Sequence, residues 1–176
     1  MKNSLIALCL LSLLASCKKD VTDLPPATQT GANTFGAKVN GSLWVPQNFG
    51  PFSSNNILVA RLLGNNFYIT AQNFASSPNE TEFDIAVMNV TGTGTYLLNE
   101  NTGYPSTTHS YGYYVKRNLS PINEWLTSST TSGAVTITRF DTAARIVSGT
   151  FQFDATELNN SAPVLNVTEG RFDVKY

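Results

Sequence analysis

The chain has 176 residues, of which 41% are hydrophobic and 13% are charged, and its formal net charge at pH 7 is −1. This length is typical of one domain with a single core. A charge so close to zero gives no reason to expect a nucleic-acid partner, because proteins that bind nucleic acids usually carry a basic face. The charged fraction is well below the usual quarter, and the Asn, Thr and Ser that replace charged residues favour turns and strands over helices.

The first residues have the pattern of a signal peptide that is cut before a lipidated cysteine. Lys2 is the basic start, and the apolar run over 5–14 is shorter than the roughly 20 residues of a membrane-spanning helix. The run ends in Leu14-Ala15-Ser16-Cys17, which resembles a bacterial lipobox. In proteins with this motif the cysteine is acylated, and two or three acyl chains give a stable anchor. We expect a signal peptide over 1–16, lipid on Cys17 and attachment to the outer membrane of the cell envelope.

Residues 17–33 are expected to form a lipidated, flexible tether, because they include Pro25-Pro26 and show no apolar periodicity. Cys9 falls in the predicted signal peptide, and Cys17 is the predicted lipid site, so no cysteine is left for the mature domain. The sequence therefore predicts no disulfide, no thiol nucleophile and no metal site built on cysteine.

From residue 34 onward, apolar and polar residues alternate with the period of β-strands. Asn40-Gly41 lies between two alternating runs and predicts a hairpin, because a type I′ turn needs a positive φ at both central residues. Gly64-Asn65-Asn66 predicts a second hairpin. The alternation is most regular over 146–153 and 171–176, where one face is apolar and the other polar. This is the pattern of an antiparallel sheet with one face in water.

We expect one β domain over 34–176, folded as an antiparallel β-sandwich of about nine or ten strands. A small β-barrel is the alternative, because periodicity does not separate the two. One short helix is predicted near 120–126, since Ser120 is a good N-cap and Pro121 suits the first helical position. The strand-like alternation covers the segments 35–39, 42–45, 57–63, 67–72, 82–90, 95–98, 111–116, 134–140, 146–153, 164–167 and 171–176.

Distinct motifs lie at both ends of this domain, namely Thr34-Phe35-Gly36-Ala37-Lys38-Val39-Asn40-Gly41, Trp44-Val45-Pro46, Ser148-Gly149-Thr150-Phe151 and Gly170-Arg171-Phe172-Asp173. Together they resemble the motifs of an uncharacterised lipoprotein family of the Bacteroidota. The resemblance implies a lipobox, a short tether and one β domain, but no activity. Some lipoproteins of that lineage carry acidic residues after the cysteine that direct them to the cell surface. Lys18-Lys19-Asp20 matches that signal only in part, so the periplasmic and the surface face both stay open.

A further short motif predicts a modification. Asp141-Thr142-Ala143 resembles the Asp-Ser/Thr-small-apolar acceptor of protein O-glycosylation in Bacteroidota. It falls in a predicted turn between two strands, where an acceptor would be accessible. Thr142 is therefore a candidate O-glycosylation site.

Few residues are suited to catalysis. The sequence has one histidine, His109, and no Gly-x-Ser-x-Gly motif, so neither a Ser–His–Asp site nor a histidine zinc site is indicated. Asp154 and Glu157 could supply the two carboxylates of a glycoside hydrolase, but nothing in the sequence brings two carboxylates to one cleft. We expect no enzyme activity, no metal and no cofactor, and a small polysaccharide-acting hydrolase using carboxylates is the alternative.

Aromatic residues are concentrated in a polar stretch in the middle of the chain. Exposed Tyr and Trp rings beside polar residues can stack on a sugar or anchor a protein partner. Tyr113 and Tyr114 are adjacent, so on a strand they point to opposite sides and one should be exposed. We expect a non-catalytic binding or accessory module for a glycan or an envelope protein, or alternatively a lipid-binding barrel. The candidate ligand-binding residues are Tyr104, Tyr113, Tyr114 and Trp125.

Overall fold

The computed structural model describes residues 21–49, 56–117, 122–159 and 163–176. The predicted signal peptide and Cys17 lie outside these ranges. The fold is all-β, as predicted, with eleven strands in one antiparallel sheet that curls into a half-barrel. Within the described ranges, no helix is long and apolar enough to cross a membrane. The strands are β1 (Thr34–Val39), β2 (Ser42–Trp44), β3 (Leu58–Leu63), β4 (Asn66–Asn73), β5 (Glu80–Val87), β6 (Gly94–Leu98), β7 (Tyr111–Arg117), β8 (Asn123–Leu126), β9 (Gly133–Asp141), β10 (Ile146–Glu157) and β11 (Leu165–Lys175).

The sheet has two halves that share strand β10. The strand order is β2-β1-β11-β10-β8-β7-β5-β4-β3, and β9 and β6 extend from β10 as a branch. Most of β10 pairs with β9 and β11, whereas its last residues, Thr156 and Glu157, pair with β8. On the opposite side of the molecule, Gln47 forms a parallel bridge to Asn73. The two halves therefore enclose one interior, and the architecture combines features of a sandwich and of a barrel.

Aromatic rings fill this interior. The ring of Phe151 lies near the centre, with its centroid 5.1 Å from that of Phe35 and 6.1 Å from that of Phe83. Trp44 meets Phe83 edge to face at 4.7 Å, and Phe153 lies 6.3 Å from Phe151. These rings are inside because alternate residues of each strand point to the same face of the sheet. They occupy the space that a lipid would need inside a barrel.

Both predicted hairpins are confirmed. Asn40 and Gly41 have φ angles of 48° and 79°, which are the positive values that a type I′ turn requires. Gly64 has a φ of 60° in the turn between β3 and β4. Short turns of this kind set the register of their strands, so the local sequence decides which residues of these hairpins face inward.

The predicted helix near 120–126 is wrong for the residues that the structure describes there. Asn123–Leu126 is strand β8, which pairs with β7 on one side and with β10 on the other. The capping signal came from Ser120 and Pro121, which lie outside the described residues. Trp125 and Leu126 are both buried in this position, and tertiary burial of this kind overrides a weak local preference for helix.

The end of the chain also differs from the prediction. The separate strands expected at 164–167 and 171–176 are a single strand, β11. Its register shifts between Val167 and Gly170 in the pairing with β10 and between Thr168 and Arg171 in the pairing with β1, and Glu169 has a φ of 53° at this point. The irregularity is a β-bulge, which interrupts the alternation in the sequence without ending the strand.

The last part of the predicted tether is bound to the domain. Asp173 on β11 accepts hydrogen bonds from the hydroxyl of Thr28 and from backbone N–H groups of the segment that follows it. Pro25 lies over β1, where a Cβ added to Gly36 would come within 2.7 Å of its ring. These hydrogen bonds hold residues 28–32 against the sheet.

Candidate functional site

The prediction that one ring of the Tyr113–Tyr114 pair is exposed is wrong. Tyr113 is 2% exposed and Tyr114 is 6% exposed. Tyr114 faces the interior, where its ring lies 4.8 Å from that of Phe83 and 5.9 Å from that of Trp125. Trp125 is itself 8% exposed, and its indole N–H donates to the backbone carbonyl of Pro163. Tyr113, Tyr114 and Trp125 are therefore buried and offer a ligand no exposed ring to stack on.

Tyr113 points to the outer face of the sheet, where Tyr104 covers it. The two rings are parallel, with 2° between their planes and 3.5 Å between their centroids. Tyr111 meets Tyr104 edge to face at 5.7 Å. The segment between β6 and β7 thus folds back across the outside of the sheet and creates a second, smaller apolar cluster there. The buried members of this cluster are Ala86, Met88, Tyr111, Tyr113, Val115 and Leu126.

Asp84 lies at the edge of this outer cluster. On β5 it is paired with Thr70 of β4 and with Tyr113 of β7, so all three side chains share the outer face. The Thr70 hydroxyl donates to one carboxylate oxygen at 2.5 Å, and the Tyr104 hydroxyl donates a short hydrogen bond to the other. Both oxygens of the carboxylate therefore have a donor from within the protein.

Burial dominates the electrostatics of this group. Burial raises the pKa of Asp84 above its usual value, and the Glu82 carboxylate two residues away adds to the rise. The hydrogen bonds from Thr70 and Tyr104 lower the pKa but do not outweigh burial. Burial also raises the pKa of Tyr104, and the bond to Asp84 raises it further, so the phenol stays protonated and remains the donor.

A pocket of about 330 Å³ opens on the outer face beside Asp84. This volume is within the usual range of small-molecule sites, about 300–1,000 Å³. The wall combines aromatic rings with a few polar groups, which is the usual composition of such sites. We call it the outer-face pocket, and its wall includes Arg61, Tyr68, Thr70, Asp84, Tyr104 and Tyr111.

Other carboxylates on the same face are held by their neighbours. Glu82 accepts a hydrogen bond of 2.6 Å from the Gln72 amide and one of 3.2 Å from the Arg117 guanidinium. Glu124 accepts one of 2.5 Å from the hydroxyl of Tyr113. Among the described residues, no three His, Cys, Asp or Glu side chains are grouped so that they could share a metal ion.

The carboxylates named from the sequence do not form a pair. Asp154 is exposed and Glu157 is buried, because an odd spacing on a strand places the two side chains on opposite faces of β10. His109 is half-buried in the segment before β7, with its ring 3.9 Å from the Glu100 carboxylate. The residues of the outer-face pocket come from four strands and one connecting segment, and Tyr104 is the one member that the sequence singled out for ligand binding.

Thr142 is exposed in the turn between β9 and β10. Its neighbour Asp141 accepts a hydrogen bond of 2.8 Å from the backbone N–H of Ala144, which closes the turn. The position is accessible to a modifying enzyme, and O-glycosylation of Thr142 stays a prediction.

Comparison with known proteins gives a family but no relative of known activity. No curated protein matches the chain, and no solved structure does. A family model with the description Domain of unknown function (DUF6252) matches residues 32–174. The match begins two residues before β1 and ends one residue before the end of β11, so it includes all of the sheet except Lys175. The chain therefore belongs to the family described as Domain of unknown function (DUF6252).

Proposed function

We propose that the protein is a lipoprotein of the cell envelope, anchored to the outer membrane through Cys17, and that its domain is a non-catalytic module that binds a glycan. The outer-face pocket is the proposed binding site. The observation that carries the glycan assignment is the combination of tyrosine rings with the Asp84 carboxylate in one open pocket.

Each part of this wall suits a sugar. The C–H faces of a sugar ring pack against tyrosine rings, and Tyr68 and Tyr104 are both half-buried at the pocket wall. Sugar hydroxyls need polar partners, which the carboxylate of Asp84 and the hydroxyl of Thr70 supply. The stacking of Tyr104 on Tyr113 holds one wall in place before any ligand arrives, which lowers the entropic cost of binding.

Binding is best tested by calorimetry of the full-length chain in detergent against a panel of envelope and plant glycans. Asp84→Asn and Tyr104→Ala should each weaken binding about tenfold or more, because each removes a direct contact. The matched controls are Asp154→Asn and Tyr176→Ala, which change the same residue types outside the pocket. Glycan binding of equal affinity in all four variants would exclude this pocket as the site. Capture of an envelope protein instead of a glycan would show that the ligand is a protein.

The anchor is supported by the lipobox and by the Bacteroidota-like motifs at both ends of the domain. Cys17→Ser should move the protein from the membrane fraction to the soluble fraction and abolish labelling with radioactive palmitate. A Cys17→Ser variant that still takes up the label would refute lipidation at this residue. Protease treatment of whole cells would then show which side of the outer membrane the domain faces.

The raised pKa of Asp84 favours a second candidate function, a polysaccharide-acting hydrolase in which Asp84 is the general acid. Such an enzyme needs a second carboxylate, and Glu82 is the nearest one along β5. Hydrogen bonds from Gln72 and Arg117 hold Glu82, which weighs against this role. Release of reducing sugar that is lost in Asp84→Asn would establish the enzyme, whereas binding without product formation would exclude it.

A further inference from the structure

The outer-face pocket presents one cationic side chain, and no carboxylate of the described residues neutralises it. Arg61 lies on β3 opposite Tyr68 of β4, points to the outer face and is exposed. Ion pairs with lysine or arginine in the described part of the chain join Lys38 to Glu169, Arg117 to Glu82 and Arg139 to Asp141. Arg61 belongs to none of them, although Asp84 lines the same pocket.

Asp84 forms no ion pair with Arg61, and its two oxygens accept hydrogen bonds from other groups. Thr70 donates to one oxygen of this carboxylate and Tyr104 donates to the other. The charge of Arg117, at the end of β7, acts on Asp84 and lowers its pKa, but burial outweighs this effect. An incoming ligand therefore meets two ionisable side chains at the pocket, the exposed Arg61 guanidinium and the Asp84 carboxylate, and only the carboxylate is already hydrogen-bonded within the described part of the protein.

We propose that the outer-face pocket binds an acidic sugar, one that carries a carboxylate on its ring, and that Arg61 binds this carboxylate. The assignment rests on the proposed glycan-binding function and narrows its ligand to the uronic-acid class. The planar guanidinium matches a carboxylate with two parallel hydrogen bonds, while Tyr68 beside it offers a surface for the sugar ring. Arg61 thus acts as a specificity-determining residue, and Asp84 and Thr70 bind hydroxyl groups.

The test compares two ligands that differ mainly in charge. Calorimetry of the full-length chain in detergent would use the β-1,4-linked tetramer of glucuronic acid and cellotetraose, its neutral counterpart. We expect the acidic tetramer to bind about tenfold or more tightly than the neutral one, with an advantage that shrinks as salt is added. Arg61→Gln should remove this advantage, because it should weaken binding of the acidic tetramer much more than binding of cellotetraose. Arg61→Lys should restore only part of it, because an ammonium ion lacks the fork geometry.

Arg145→Gln is the matched control, because Arg145 is also exposed but lies on the turn between β9 and β10. Equal affinity for both tetramers, unchanged by Arg61→Gln, would overturn the acidic ligand while leaving glycan binding intact. Preference for the acidic tetramer that persists in Arg61→Gln would overturn the role of Arg61. Absence of binding to either tetramer, together with a negative glycan panel, would instead refute the proposed function. Because Arg61 is exposed on an edge strand, each variant should keep the wild-type melting temperature, which thermal unfolding would check.

Discussion

The backbone N–H of Gly31 donates a hydrogen bond of 2.8 Å to a carboxylate oxygen of Asp173, and this bond joins the segment before β1 to the last strand. The same oxygen accepts a bond of 2.7 Å from the hydroxyl of Ser148 on β10. The other oxygen accepts from Thr28 at 2.6 Å and from the N–H of Ala32 at 3.1 Å. One buried carboxylate thus connects three parts of the chain.

Replacing Asp173 with Asn should destabilise the domain by about 3 kcal/mol, since a donor amide then faces buried donors that lose their acceptor. Urea unfolding followed by tryptophan fluorescence would measure the change. Limited proteolysis should also cut near residues 28–32 sooner in the variant. Asp154→Asn on the exposed face of β10 is the control and should change the free energy of unfolding by no more than about 0.5 kcal/mol. A loss below that value in Asp173→Asn would mean that these hydrogen bonds contribute little.

The Asp173 carboxylate should also make the stability of the domain depend on pH. Burial by itself would raise the pKa of Asp173, but the hydrogen bonds from Thr28, Ser148 and the backbone outweigh it and lower the pKa well below the usual value. The stabilisation is therefore fully present above the unfolded-state pKa of about 3.9 and is lost as the pH falls below it. Between about pH 4 and pH 2 we expect this group to add a slope of up to about 1.4 kcal/mol per pH unit. The slope should disappear in Asp173→Asn, and equal slopes in the two proteins would contradict the assignment.

Asp84 should have the opposite effect. Its pKa is raised by burial, so the folded protein binds this proton more readily than the unfolded chain. Stability from this group is present at low pH and is lost as the pH rises through the folded-state pKa. Asp84→Asn should therefore gain stability relative to wild type between about pH 3.5 and pH 7. The urea midpoints of both proteins at these two pH values would measure this gain. A difference in midpoint that does not change with pH would refute the raised pKa of Asp84.

Close packing between strands makes Gly149 on β10 intolerant of any side chain. A Cβ at this position would lie 2.3 Å from the backbone oxygen of Thr136 and 2.8 Å from the ring of Phe172. We expect Gly149→Ala to cost about 3 kcal/mol, because strands β9 and β11 would have to move apart. In Gly92→Ala the added Cβ meets nothing within 4 Å, so the free energy of unfolding should change by less than about 1 kcal/mol. Thermal unfolding of both variants would test the contrast, and equal melting temperatures would contradict it.

Local pattern predicted the elements of this domain well where one face of a strand is buried. The alternation along β10 identified its inward residues, and Asn40-Gly41 identified its hairpin, because both signals depend only on neighbours in the chain. The prediction failed at β8, where the local signal was a helix cap and the deciding force was burial of Trp125 between distant strands. Local pattern also did not indicate that 28–32 contacts the sheet, because the acceptor for this segment, Asp173, lies at the far end of the chain.

The candidate site shows the same division. The sequence by itself determined that the protein is all-β and that tyrosines are concentrated before and within β7, and it predicts lipid on Cys17. Only the tertiary structure decided that Tyr113 and Tyr114 are buried and that Tyr104 and Asp84 share an outer-face pocket with Arg61. The reason is physical. Alternation within one strand states which residues share a face, but not which distant segment covers that face, and the pocket exists because the chain before β7 folds back over β5.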